Sequence, residues 1–174
     1  MKRIAVAGWM VAMIGALAAQ GALSFTAPKE WIVQPSTSSM RVAQYALPRV
    51  AGDSEDGELI VYYFGGSGGS IEANLDRWIG QMEQPDGRPS KAVAKTSSLT
   101  ANGLTMTVLD VSGRYVAEMA PGSGSRHNKP GFRMKAAVVE TARGPYFVKL
   151  TGPAKTIERW DASFTGFLKS AVFR

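Results

Sequence analysis

The chain has 174 residues, a formal net charge of +6 and no cysteine. That length allows a leader and one domain. The lack of thiols excludes disulfide staples, thiol nucleophiles, thiolate metal sites and a cysteine-linked lipid anchor. The basic excess is uneven but scattered: residues 23–90 hold 5 basic and 9 acidic side chains, residues 91–174 hold 13 and 5. With no basic run and no recognition motif, no nucleic-acid partner is expected.

Lys2 and Arg3 precede an uncharged stretch from Ile4 to Ala16, and Ala16-Leu17-Ala18 has the small-x-small form of a cleavage site. This pattern predicts a signal peptide over residues 1–22, and so a periplasmic or extracellular protein. The alternative is an uncleaved membrane anchor, but Gln20, Ser24 and Thr26 dilute the second half of the apolar stretch. No stable transmembrane span is expected after cleavage. Residues 23–39 carry Pro28 and Pro35 and suggest an extended segment, with Trp31, Ile32 and Val33 anchoring it on the core; residues 40–174 form a single domain.

Within that domain, Met40–Leu47 alternates, with Arg41, Ala43, Tyr45 and Leu47 on one face. Glu58–Phe64 (ELIVYYF) is apolar on both faces, which predicts a central strand covered on both sides. Ile71, Leu75, Trp78, Ile79 and Met82 form the stripe of a first helix over about Ile71–Glu83, with Ser70 suited to its N-cap. Strands are expected at about Lys91–Thr100 and Leu104–Val111 around an Asn102-Gly103 hairpin turn, and a short one at Tyr115–Met119. Pro121–Gly131 suggests a long mobile loop. A second hairpin joins Phe132–Glu140 to Pro145–Thr151, and a C-terminal helix over about Ala154–Ala171 presents Ile157, Trp160, Phe164, Phe167, Leu168 and Ala171. Hairpin connections predict an α+β fold with a mainly antiparallel β-sheet and helices packed on both faces, an α/β/α sandwich.

Several stretches carry a resemblance. Ser39-Met40-Arg41, Gln44-Tyr45 and Leu47-Pro48 precede the central strand. Asn74-x-x-Arg77-Trp78 lies on the first helix, and Gly144–Pro153 (GPYFVKLTGP) leads into the Phe-rich final helix. In this order they resemble the PsbP/Mog1-like fold group, most nearly its exported bacterial DcrB-type members. The resemblance implies a non-catalytic binding or assembly module, as in photosystem assembly or small-GTPase release. It transfers no partner-binding motif to this sequence, and fold alone does not supply a function.

Four groups of residues could carry chemistry. Gly65-Gly66-Ser67-Gly68-Gly69 matches G-x-S-x-G between a strand and a helix, and Asp110 and His127 follow in triad order. A small serine hydrolase using Ser67 and His127 is therefore the alternative to a binding domain. An antiparallel sheet, four glycines beside the serine and a histidine between Arg126 and Lys129 argue against it. The same loop, with Ser70, stands at a helix N-terminus where anions gather, but it lacks the Lys-Ser/Thr of a P-loop. The favoured reading is a bend of small residues between two packed elements. Asp53, Glu55, Asp56 and Glu58 lack the spacing of a calcium loop, and His127 is the only histidine, so no metal or other cofactor is expected. Tyr62, Tyr63, Phe64, Tyr146 and Phe147 occur at strand spacing and are read as core.

The expected function is thus a non-enzymatic binding or accessory domain for an unidentified envelope protein or ligand, with a small-ligand or anion carrier as a further alternative. Contacts are expected from Gly65, Gly66, Ser67, Gly68, Gly69 and Ser70 and from Arg126, His127 and Lys129.

Overall fold

The computed structural model describes residues 21–174. The predicted leader lies outside the described residues except for Gly21 and Ala22. The elements are β1 (Leu23–Ser24), β2 (Ile32–Val33), β3 (Arg41–Leu47), β4 (Gly57–Tyr63), α1 (Ile71–Ile79), β5 (Met82–Glu83), β6 (Lys95–Ala101) and β7 (Leu104–Tyr115). They continue with β8 (Lys129–Val139), β9 (Tyr146–Pro153), α2 (Ala154–Arg159), α3 (Asp161–Lys169) and β10 (Val172–Phe173).

One eight-stranded sheet runs in the order β2-β3-β4-β9-β8-β7, and β7 is long enough to pair β6 along its first half and β5 at its end. Every pairing is antiparallel. The fold is therefore α+β with a mainly antiparallel sheet. β4 lies between β3 and β9, in the interior position that its two apolar faces require.

Alternate strand residues fall into two separate apolar clusters. Leu59, Val61, Val148 and Leu150 pack with Ile157, Trp160, Phe164, Phe167 and Leu168. Residues of the other parity on the same sheet, among them Met134, Ala136, Val138 and Phe147, pack with Trp78 and with partly buried Ile71, Leu75 and Ile79. The predicted helical stripes are thus the buried ones.

Several expected boundaries move, each for a visible reason. The first helix stops at Ile79, because the Gly80 amide closes the last turn on Asp76 and Met82 leaves the helix for a strand pairing with Tyr115. Met82 still joins the α1 cluster. Pro89 sets up a 3₁₀ turn at Ser90–Ala92, which delays β6 to Lys95. Gly113 does not break β7: the strand runs through it with an irregularity of register, and a Cβ there would lie 2.5 Å from the Glu83 carbonyl oxygen. The glycine lets β5 approach.

The C-terminal helix divides at Trp160, whose backbone leaves ideal helical angles (φ −94°, ψ 7°) while its indole N–H donates to the Pro48 carbonyl at 2.9 Å. Of the expected N-terminal anchor only Trp31 is buried; Ile32 and Val33 are 52% and 74% exposed. Trp31 packs against Tyr45, Trp160 and Phe167, while its neighbours belong to a two-residue edge strand on β3. Farther upstream, Ala22 exchanges both backbone hydrogen bonds with Arg174, and β1 pairs with β10. The Asn102-Gly103 turn has positive φ at both residues (50° and 77°), as a type I′ hairpin requires.

Candidate ligand-binding cavity

The glycine loop is held by its neighbours. Gly65 and Gly66 both take positive φ, and the Ser67 amide closes the turn by donating to the Phe64 carbonyl at 3.2 Å. The loop then lies against the end of β9: a Cβ on Gly68 would come within 2.6 Å of the Phe147 ring. Ser70 caps α1 by accepting from the Ala73 amide at 3.1 Å. Buried Asn74 ties the loop down, donating to the Gly68 and Ser70 carbonyls at 2.7 and 2.9 Å and accepting from Arg77 at 2.6 Å.

The residues of the hydrolase reading are engaged elsewhere. Ser67 is exposed in the loop. The Asp110 carboxylate accepts two hydrogen bonds from the Arg133 guanidinium at 2.8 and 2.5 Å, with Lys135 and Asp161 of α3 completing the cluster. His127 stacks on Tyr115, with ring centres 5.3 Å apart, and Tyr115 packs against the other cluster, with Trp78 and Phe132. The structure does not bring Ser67, Asp110 and His127 together through hydrogen bonds.

The segment expected as a long mobile loop is largely a hairpin. The His127 amide donates to the Ala117 carbonyl, the Met119 amide donates to that of Ser125, and Glu118 pairs with Arg126. Lys129 already belongs to β8, where its ammonium pairs with Glu55 at 2.6 Å and lies over the Phe132 ring. The acidic residues are likewise dispersed. Asp53 accepts from the Thr156 amide and hydroxyl, Asp56 from the Arg49 amide and Glu58 from the Gln44 side chain.

A cavity of about 850 Å³ opens over the sheet on the α1 side. Its floor comes from alternate residues of two central strands, Ile60 and Tyr62 of β4 and Phe147, Lys149 and Thr151 of β9. The C-terminal end of α1 supplies one wall through Arg77, Trp78 and, just beyond it, Gln81. The hairpin around Met119 and Arg126 supplies another, and the approach to β3 with Met40 and Arg41 a third. Arg126 and His127, two of the expected contact residues, line this space; Gly65–Ser70 and Lys129 do not.

Lys149 is the unusual member. In register it lies between Ile60 and Ala136, so its stem crosses an apolar floor. Its ammonium donates to the Gln81 side-chain Oε1 at 2.6 Å and to the Tyr115 hydroxyl at 3.1 Å, and lies over the Tyr115 ring. Burial pulls the lysine down to about 8, with the nearby Arg77 charge adding to the shift and Glu58 opposing it. Burial likewise pushes the Tyr115 phenol up to about 12, so it stays protonated and neutral while its oxygen accepts from Lys149. The Tyr62 phenol is also raised by burial, against the pull of Arg41 and Arg77.

Most of these residues were missed in the sequence, yet one signal was present. In Tyr146-Phe-Val-Lys-Leu150 a single charge interrupts an otherwise apolar strand. In a strand covered on both faces, that lysine must either pair or line a space.

No protein-family model matches the chain, and no curated protein matches it. Solved structures do. A Pseudomonas aeruginosa protein of unknown function, PA94, superposes with a TM-score of 0.50 at 11% identity, covering 87% of this chain and 97% of its own. LpqN of Mycobacterium tuberculosis, a protein involved in cell envelope biogenesis, superposes with a TM-score of 0.51 at 10% identity, covering 91% of this chain and 87% of its own. The likeness is one of fold. Among the described residues no helix is long and apolar enough to cross a membrane.

Proposed function

We propose that the protein is an exported, non-enzymatic binding or accessory domain of the cell envelope, periplasmic or extracellular, that receives its ligand or partner in the cavity over Lys149. The observation that carries this reading is the cavity itself. It has ligand-site volume and a mixed lining, with apolar surface from Ile60, Phe64, Trp78 and Phe147 beside convergent polar groups, and it is built from the most central strands of the sheet. The envelope role of LpqN, similar in fold, agrees with an exported accessory role here.

The architecture that supports the site is, in the same reading, a three-layer one. The two clusters use opposite parities of shared strands, so α1 would cover one face and α2 with α3 the other. The element order and the motifs quoted above favour membership of the PsbP/Mog1-like group near its DcrB-type members.

Site-directed photocrosslinking in intact cells tests the proposal. A crosslinker at Met119, on the cavity rim, is expected to capture a reproducible envelope component or ligand that one at Gly87, outside the cavity lining, does not. Equal capture at both positions would remove the cavity from the proposal. A fluorophosphonate probe tests the hydrolase alternative: no labelling that depends on Ser67 is expected, and labelling lost on Ser67→Ala would establish a serine nucleophile.

A further inference from the structure

We propose that the cavity takes an organic monoanion, an apolar body ending in a carboxylate that becomes the counter-ion of Lys149; this rests on the reading of the cavity as the binding site. The argument begins with an imbalance. Lys91, Lys129, Arg133 and Lys135 all have carboxylates within ion-pair distance. Lys149, half-buried in the strand, has among the described residues only the neutral oxygens of the Gln81 side chain and Tyr115. A desolvated ammonium with neutral partners is destabilised unless an anion reaches it, and the open side of this one faces the cavity.

The surrounding charges point the same way. Glu58 and Tyr62 face Lys149 from β4, Tyr115 from β7, Arg77 from α1 and Arg41 from β3. At the rim stand Glu118, Arg126 and His127. Four basic side chains therefore line the space against two carboxylates, and Glu58 is already held by Gln44. The walls specify the rest of the ligand. Ile60, Phe64, Trp78, Phe147 and Met119 offer apolar surface next to the cation, which suits a hydrocarbon or aromatic body and leaves a bare inorganic anion without most of its contacts.

Calorimetric titration of the purified protein with decanoate below its micellar concentration, decanol and acetate tests the inference. Decanoate is expected to bind at least tenfold more tightly than decanol, and acetate far more weakly than either. Lys149→Met is expected to abolish the preference for decanoate and Lys149→Arg to retain part of it. In the unmodified protein, decanoate affinity is expected to stay level below about pH 8 and to fall toward tenfold per pH unit above it, as the free lysine loses its proton. This arm needs no variant to fold.

Equal affinity for decanoate and decanol would overturn the inference while leaving the cavity as a binding site. Binding of decanoate unaffected by Lys149→Met would overturn it too. Failure of all three compounds to bind would overturn the inference, and the cavity as a binding site is decided separately by crosslinking at Met119. Co-sedimentation with phosphatidylglycerol vesicles, without decanoate binding, would assign the cations to a membrane surface and overturn the small-anion inference.

Discussion

The ammonium of Lys149 lies 3.1 Å from the hydroxyl of Tyr115 and 5.1 Å from the centre of its ring. Both side chains are displaced from their usual titration ranges by the same burial, the lysine down to about 8 and the phenol up to about 12. The pair therefore defines an alkaline stability profile. Between about pH 8 and 10 the native lysine has released its proton while the unfolded one keeps it, so the unfolded state binds more protons and stability rises with pH. Above about pH 10 the unfolded tyrosine ionises while native Tyr115 holds its proton, and stability falls. Urea midpoints measured from pH 7 to 11 should show this rise and fall.

Lys149→Met should remove the rise. Moving a titration by one pH unit takes about 1.4 kcal/mol, so keeping this half-buried lysine charged, with its titration pulled from 10.5 to about 8, costs on the order of 3–4 kcal/mol at neutral pH. The variant should be more stable than the parent at pH 7 by an amount of that order. A variant less stable at pH 7, or one that keeps the alkaline rise, would show that Lys149 is not the group responsible.

Gly144 and Gly66 form the tightest backbone approach beside the glycine loop. A Cβ on Gly144 would lie 2.5 Å from the Gly66 Cα, and the residue holds a φ of +99°. Gly144→Ala is expected to cost about 2–4 kcal/mol from the combined overlap and backbone strain. Gly87→Ala, at φ +77° with open space around it, should cost only about 1 kcal/mol. Chemical denaturation of the two variants makes the comparison, and equal losses would mean that the contact with Gly66 contributes nothing.

On the α3 side, burial pulls the Asp110 carboxyl upward, but the hydrogen bonds and charge of Arg133, helped by Lys135 and Lys95, outweigh it and hold the group below its ordinary value. The stabilisation is present above the unfolded pKa of about 3.9 and is lost as pH falls through the lower native one. Asp110→Asn should cost about 2 kcal/mol at pH 7, between the values for exposed and fully buried pairs. It should also flatten part of the stability loss below about pH 4. An unchanged acid limb in thermal melts would contradict this.

Trp31 is buried against three aromatic rings, yet its indole N–H has no hydrogen-bond partner among the described residues. Trp31→Ala is expected to cost about 3–5 kcal/mol through the cavity left behind. Trp31→Phe should cost far less than that, because the lost N–H makes no bond to lose. Similar losses for both variants would indicate an acceptor for the indole.

The two helical stripes were legible in the sequence because burial imposes a period that a linear chain displays: Ile71, Leu75 and Trp78 join one apolar cluster, Ile157, Phe164 and Leu168 the other. The interior place of Glu58–Phe64 and the Asn102-Gly103 turn were legible for equally local reasons, two apolar faces and positive φ. Helix ends were not, because Met82 leaves α1 to pair with Tyr115 and Trp160 bends the last helix while bonding to the Pro48 carbonyl, both distant partners. The small residues of the glycine loop do make a tight turn into α1. What it bends around, Gly144 and Phe147, lies some eighty residues away.

The candidate site shows the same division. Its sequence carried one local sign, a lysine inside an apolar strand. Its cavity is assembled from β3, β4, α1, the Ala117–His127 hairpin and β9, and only sheet register brings Ile60 beside Lys149 and turns both toward Tyr115. Sequence alone determined which residues seek an apolar interior, since that depends on each side chain's own transfer from water. Tertiary structure alone decided which charge lies at that interior with no carboxylate on it among the described residues, since desolvation depends on every neighbour at once.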